Sequence, residues 1–189
     1  MSLVLLLGGA RSGKSALAVE LAVQCGRDVV FLATCEGRDE EMRARIARHR
    51  AERPAGWRTV EVPTDLGRAL AVAAPDDSLI VDCLSLWVAN LLEERREARA
   101  IEELAATAAA GAAERRGLTI AVSNEVGLGI VPATPLGRRY RDLLGRANAI
   151  WAKAADDVLL VVAGRVLPLA KTAGLVSVAV RGERDGRRA

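Results

Sequence analysis

"LVLLLGGARSGKSALAVEL" (Leu3–Leu21) joins an apolar run, a glycine-rich octapeptide and the start of an amphipathic segment. Gly8, Gly9, Ala10, Arg11, Ser12, Gly13, Lys14 and Ser15 spell G-x-x-x-x-G-K-[ST] between an expected strand and an expected helix, the context that gives this pattern meaning. Glycines let successive backbone N–H groups turn inward around a phosphate, and the helix N-terminus adds a positive end. Lys14 would then reach the terminal phosphates of a nucleoside triphosphate, and the Ser15 hydroxyl is placed to ligate Mg2+. The stretch predicts a phosphate loop.

Outward from it, apolar runs recur at Leu3–Leu7, Val29–Ala33, Leu79–Val81, Leu118–Val122 and Val158–Ala163, with a weaker one at Thr59–Val62. Helical spacing occupies Lys14–Cys25, Asp39–Arg50, Asp65–Ala73, Leu84–Glu94, Glu97–Arg115 and Leu136–Ala155. Continuous apolar strands alternating with helices predict an α/β fold of phosphate-loop NTPase type. Its sheet is expected to be mainly parallel and covered by helices on both faces. Residues 1–180 read as a single nucleotide-binding domain, and the polar stretch 181–189 as a frayed tail. The helix Glu97–Arg115 begins acidic and ends "ERRG", with the glycine read as its stop.

Composition narrows the function. Hydrophobic residues make up 51% and charged ones 27%, the balance of an ordinary globular protein. The formal charge of +3 does not argue for nucleic acid, because aromatic residues amount to 3%, too few for base-stacking platforms. Cys25, Cys35 and Cys83 are too widely spaced for a C-x-x-C pair, and an odd number suits a reducing compartment. A single histidine excludes a histidine-rich metal site. The N-terminus lacks a basic n-region, and no stretch approaches the ~20 apolar residues of a membrane span, so a cytoplasmic protein is expected.

Two further stretches leave strands at the edge where open parallel sheets bind ligands. "LIVDC" carries Asp82, either a carboxylate supporting the metal or a cap for the next helix. "AVSNEVGLGIVP" carries Asn124 and Glu125, either site residues or parts of a turn hinged at Gly127 and Gly129.

The one histidine, His49, stands in "EMRARIARHRAERPAGW" among Arg43, Arg45, Arg48, Arg50 and Arg53. Asp39 caps this expected helix, with Glu40 and Glu41 in its first turn. His49 follows Met42 by seven residues and Ile46 by three, so the three share one inward face, flanked by Arg45 and Arg53, while Arg43 and Arg50 point elsewhere. An inward histidine is either a core residue or, beside arginines and a triphosphate, a neutral imidazole kept nucleophilic by nearby positive charge.

These blocks, with "FLAT", "VDCLSLWVANLL" and "GRRYRDLLGRANAIWAKAADDVLLVVAG", resemble the bifunctional adenosylcobinamide kinase / adenosylcobinamide-phosphate guanylyltransferase family from residue 3 to about residue 164. The resemblance implies phosphorylation of the aminopropanol hydroxyl of adenosylcobinamide by a nucleoside triphosphate (ATP or GTP). Transfer of GMP from GTP onto that phosphate follows, with Mg2+ as cofactor and a trimeric assembly. The family's guanylylated histidine falls on His49, with Lys14 as the second catalytic group. Its GTP contacts fall on Gly8–Ser15, Ala33, Thr34, Cys35, Arg50, Ala51, Glu52, Arg53, Glu61 and Asp82; the phosphate-loop chemistry above makes Ser15 and Asp82 the expected metal ligands. Two departures stand out: "RVLPLAK" (Arg165–Lys171) alters the spacing to the final lysine, and Asp82 replaces the Glu of some relatives. The alternatives are a small-molecule kinase without covalent nucleotide, and a nucleotide-dependent regulatory switch.

Overall fold

The opening apolar run forms a fully buried strand, β1 (Leu3–Gly8), in the computed structural model, which describes residues 3–51 and 53–171. Six more strands complete one sheet: β2 (Val29–Ala33), β3 (Arg58–Glu61), β4 (Ser78–Asp82), β5 (Thr119–Val122), β6 (Asp157–Val162) and β7 (Arg165–Pro168). Their order is β3-β2-β4-β5-β1-β6-β7. Every pair is parallel except β6–β7, which is antiparallel. The mainly parallel sheet is therefore as expected. Strand β7 was not anticipated from the sequence: Arg165–Pro168 is exposed throughout and has no buried apolar run to betray it. Its partner is set instead by a tight turn at Ala163 and Gly164, both with positive φ.

Six helices fill the connections: α1 (Lys14–Gln24), α2 (Glu40–Ala51), α3 (Leu66–Val72), α4 (Leu84–Glu93), α5 (Ala98–Ala113) and α6 (Pro135–Ala154). Strand alternation divides the core. Leu3, Leu5 and Leu7 face a large cluster with Leu66, Trp87, Ile101, Leu143 and Trp151 from α3–α6, whereas Val4 and Leu6 face Ala18 and Ala22 of α1. Asp39 caps α2 through its Oδ1 to Met42 N (2.7 Å), as the sequence suggests.

The end of α5 differs from the expectation. The helix stops at Ala113, and the buried Gly117 lies beyond it, where a Cβ would come within 2.1 Å of the Asp77 carbonyl. That glycine is needed for a close approach of two loops rather than as the helix stop. Next to it the Arg115 guanidinium donates to the carbonyls of Leu70, Ala73, Ala74 and Asp77 at 2.6–3.3 Å. These carbonyls lie at and after the end of α3, where helical donors run out, at the sheet edge away from the phosphate loop. Arg115→Ala should therefore cost about 2 kcal/mol of unfolding free energy in urea titration, with nucleotide affinity unchanged.

Candidate active site

The ends of five strands, β1 to β5, converge with helix α2 at the carboxyl edge of the sheet. Strand β1 runs directly into the phosphate loop. A Cβ on Gly8 would lie 2.3 Å from the Val161 carbonyl, and Gly13 holds φ at 102°, so both positions require glycine. The loop is folded round its own lysine: Lys14 Nζ donates to Gly8 O (2.9 Å), Gly9 O (2.6 Å) and Ser12 Oγ (3.3 Å). Burial pushes the Lys14 ammonium below its usual range, while Cys83 and Asp82 act in the opposite direction. The carbonyls hold the ammonium where a triphosphate would take it over.

Next to the loop, β2 and β4 end together. Thr34 is fully buried, and its Oγ1 both donates to Cys83 O and accepts from Cys83 N, each at 2.8 Å. Asn90 Nδ2 donates to Thr34 O (2.8 Å) and Pro63 O (3.0 Å). This lattice fixes the chain on either side of Ala33, Cys35 and Asp82. The N-cap position of α4 belongs to Cys83, so Asp82 precedes the helix instead of capping it.

Helix α2 brings His49 across. One cavity is lined by Ser15, Ala33, Cys35, His49, Arg50, Arg53, Glu61 and Asp82, together with Met42 and Ile46 of the helical face that His49 was expected to share. Arg53 lies 3.3 Å over the ring of Phe31, the only phenylalanine in the chain, and donates to Thr59 Oγ1 at 3.2 Å. A flat guanidinium clamped between a ring face and a hydroxyl is pre-set to present its other donors to an anion. Burial lowers the Arg53 pKa against the opposing pull of Asp82.

Several sequence expectations change in detail. Arg50 was expected to point away from the His49 face but lines the cavity, because it stands in the last turn of α2, where a long side chain can swing back. Arg43 does point elsewhere, donating to Gly37 O at 3.1 Å. Thr34 is wall structure, its side chain fully engaged. Ala51 is exposed and outside the cavity lining, two residues and hence about 200° round the helix from His49. Glu52, the Arg45 side chain and residues 181–189 lie outside the described residues. Asn124 lines the cavity, whereas Glu125 accepts from Gly127 N (2.6 Å) within its own turn, so the two open readings divide between them. Thr59, Cys83 and Leu86 were missed. The signal for Thr59 was present: it sits two residues before Glu61 on β3, hence on the same face.

Fold and loop together define a phosphate-loop α/β protein with an imidazole lining the cavity beside the loop. A solved structure from Pyrococcus horikoshii OT3 shares the fold, with a TM-score of 0.55 at 8% identity, covering 88% of this chain and 85% of that one. Residues 4–169 match the family model described as cobinamide kinase / cobinamide phosphate guanyltransferase. The bifunctional adenosylcobalamin biosynthesis protein CobP of Pseudomonas aeruginosa is 46% identical over 172 residues, 87% of this chain and 95% of that protein. The corresponding protein CobU of Salmonella typhimurium is 39% identical over 175 residues, covering 86% and 96%. The chain belongs to the cobinamide kinase / cobinamide phosphate guanyltransferase family. Among the described residues no helix is long and apolar enough to cross a membrane.

The three free cysteines give a direct probe of the cavity. Cys25 is exposed at the end of α1, Cys35 is half-buried in the cavity wall, and burial raises the Cys83 thiol to about 11. With maleimide at pH 7, GTP should slow labelling of Cys35 several-fold and leave Cys25 unaffected, read by peptide mass spectrometry, while Cys83 stays unmodified until the protein unfolds.

Proposed function

We propose that this enzyme phosphorylates the aminopropanol hydroxyl of adenosylcobinamide and then transfers GMP from GTP to the resulting phosphate, with His49 as covalent carrier. The observation that supports this most directly is the placing of His49, Arg50 and Arg53 in one cavity with Ser15 and Asp82, beside the phosphate loop. An imidazole nitrogen attacks the α-phosphorus of GTP, a P–N bond forms, the bond to the β-phosphate oxygen breaks, and pyrophosphate departs. The phosphate oxygen of adenosylcobinamide phosphate then attacks the same phosphorus, forming a P–O bond and releasing the histidine. Arg50 and Arg53 neutralise the charge that builds on the non-bridging oxygens, and Lys14 holds the phosphates that leave.

The oxygen donors Ser15 and Asp82 fit Mg2+, which takes one or two protein oxygens and completes its shell with phosphates and water. Bound there, it would neutralise phosphate charge. No group of three or more His, Cys, Asp or Glu side chains that could hold a metal occurs among the described residues, which suits an ion carried in with the nucleotide. Residence in the cytoplasm, a single nucleotide-binding domain and a trimeric assembly complete the reading. Leu128 and Ile130, almost fully exposed in the loop after β5, give a second copy an apolar surface to cover.

With α-labelled GTP and Mg2+, wild type should acquire a label stable in base and labile in acid, the signature of a histidine phosphoramidate. Adenosylcobinamide phosphate should discharge it. His49→Ala should take up none and still phosphorylate adenosylcobinamide, since that step needs no imidazole. Lys14→Ala should lose both activities. Label on His49→Ala would put the covalent nucleotide on another residue and overturn the role of His49, and no label on wild type would favour the kinase without covalent nucleotide.

A further inference from the structure

Neither transfer step above uses Asn124, yet a chain of buried hydrogen bonds is built behind it. Residues 123–125 run from the end of β5 alongside the phosphate loop: Ser123 N donates to Leu6 O (2.9 Å) and Glu125 N to Gly8 O (3.0 Å). Behind them, Asn148 of α6 is only 5% exposed, and both ends of its amide are committed. Its Oδ1 accepts from Ser123 Oγ (2.6 Å), and its Nδ2 donates to Asn124 O (3.1 Å). In front, the Asn124 Nδ2 donates to Ser85 Oγ at 3.0 Å. Ser85 is itself buried, with its Oγ 2.9 Å from Cys83 Sγ and its carbonyl accepting from Tyr140 at 3.3 Å.

Buried polar side chains are costly unless satisfied, and a simple turn after a strand needs none of them. Here Ser85, Ser123 and Asn148 act on one half-buried amide that lines the cavity with Ser15, His49 and Asp82. With one N–H held by Ser85, the plane of the amide is set, and Oδ1 is an acceptor for which no protein donor is found among the described residues. An acceptor repels phosphate oxygens and selects an O–H.

We propose that Asn124 Oδ1 takes a hydrogen bond from an O–H group aligned with the bound phosphates, and that Asn148 is the positioning residue that holds it there. The inference rests on the function proposed above. The O–H has two sources: the substrate hydroxyl that receives the phosphoryl group, or a water on the phosphate-bound cation. The first is present only in the kinase step, the second in both steps.

Asn124→Ala should lower kcat about tenfold or more with the nucleotide KM unchanged, because the loss is one of alignment rather than of binding. Loss in the ATP-dependent kinase step alone identifies the substrate hydroxyl; equal loss in His49 labelling by GTP identifies the water. Asn148→Ala, or the smaller change Ser85→Ala, should show a similar kcat defect. If these residues act through Asn124, Asn124→Ala/Asn148→Ala is no slower than Asn124→Ala alone. Wild-type kcat in Asn124→Ala for both steps would overturn the proposal, as would defects of Asn124→Ala and Asn148→Ala that multiply. Wild-type turnover, measured alongside, separates failure of this inference from failure of the proposed function.

Discussion

Gly8 has no room for a side chain. The carbonyl of Val161 on β6 stands 2.3 Å from where a Cβ would be, and this contact lets the chain leave β1 in a turn tight enough to enclose a phosphate. The next constraints follow from it. Gly164, at the tip of the β6–β7 turn, donates to Ser12 O at 2.9 Å, and Lys14 closes the loop from inside. The exposed hairpin that looks dispensable in the sequence thus braces the phosphate loop from its outer side.

Charge in the cavity is arranged for a ligand more negative than its walls. Arg50 and Arg53 line it with Asp82 and Glu61, Lys14 lies within the electrostatic reach of Asp82, and burial disfavours the charged forms of Lys14 and Arg53. A triphosphate would relieve that cost, so the binding energy of the phosphates and the orientation of the cations are coupled. On the proposed function the position of His49 matters for the same reason: its imidazole lines the cavity in which Arg50 and Arg53 would hold the phosphorus it attacks.

Much of this was legible in the sequence because its signals are local. Among the described residues, six of seven strands and all six helices follow from apolar runs, helical spacing and caps, with boundaries displaced by at most two residues. The phosphate loop is a contiguous motif, and the Met42–Ile46–His49 face follows from helical spacing. What escaped is non-local. The Phe31–Arg53 stack joins β2 to a loop after α2, and no spacing rule predicts it. Asn148 lies 24 residues from Asn124 on a helix that reads as ordinary packing, so its link to the site exists only in three dimensions. Arg50 was misplaced because ideal helical angles ignore how far an arginine at a helix end can turn.

The claim on which the account depends is that the phosphate loop and His49 act on one bound GTP. Rapid mixing of the wild-type enzyme with GTP and Mg2+, with no corrinoid present, tests it most directly. The account predicts a burst of pyrophosphate approaching one equivalent per chain, followed by a halt until adenosylcobinamide phosphate is added, with negligible orthophosphate. Steady release of orthophosphate without a pyrophosphate burst would contradict it.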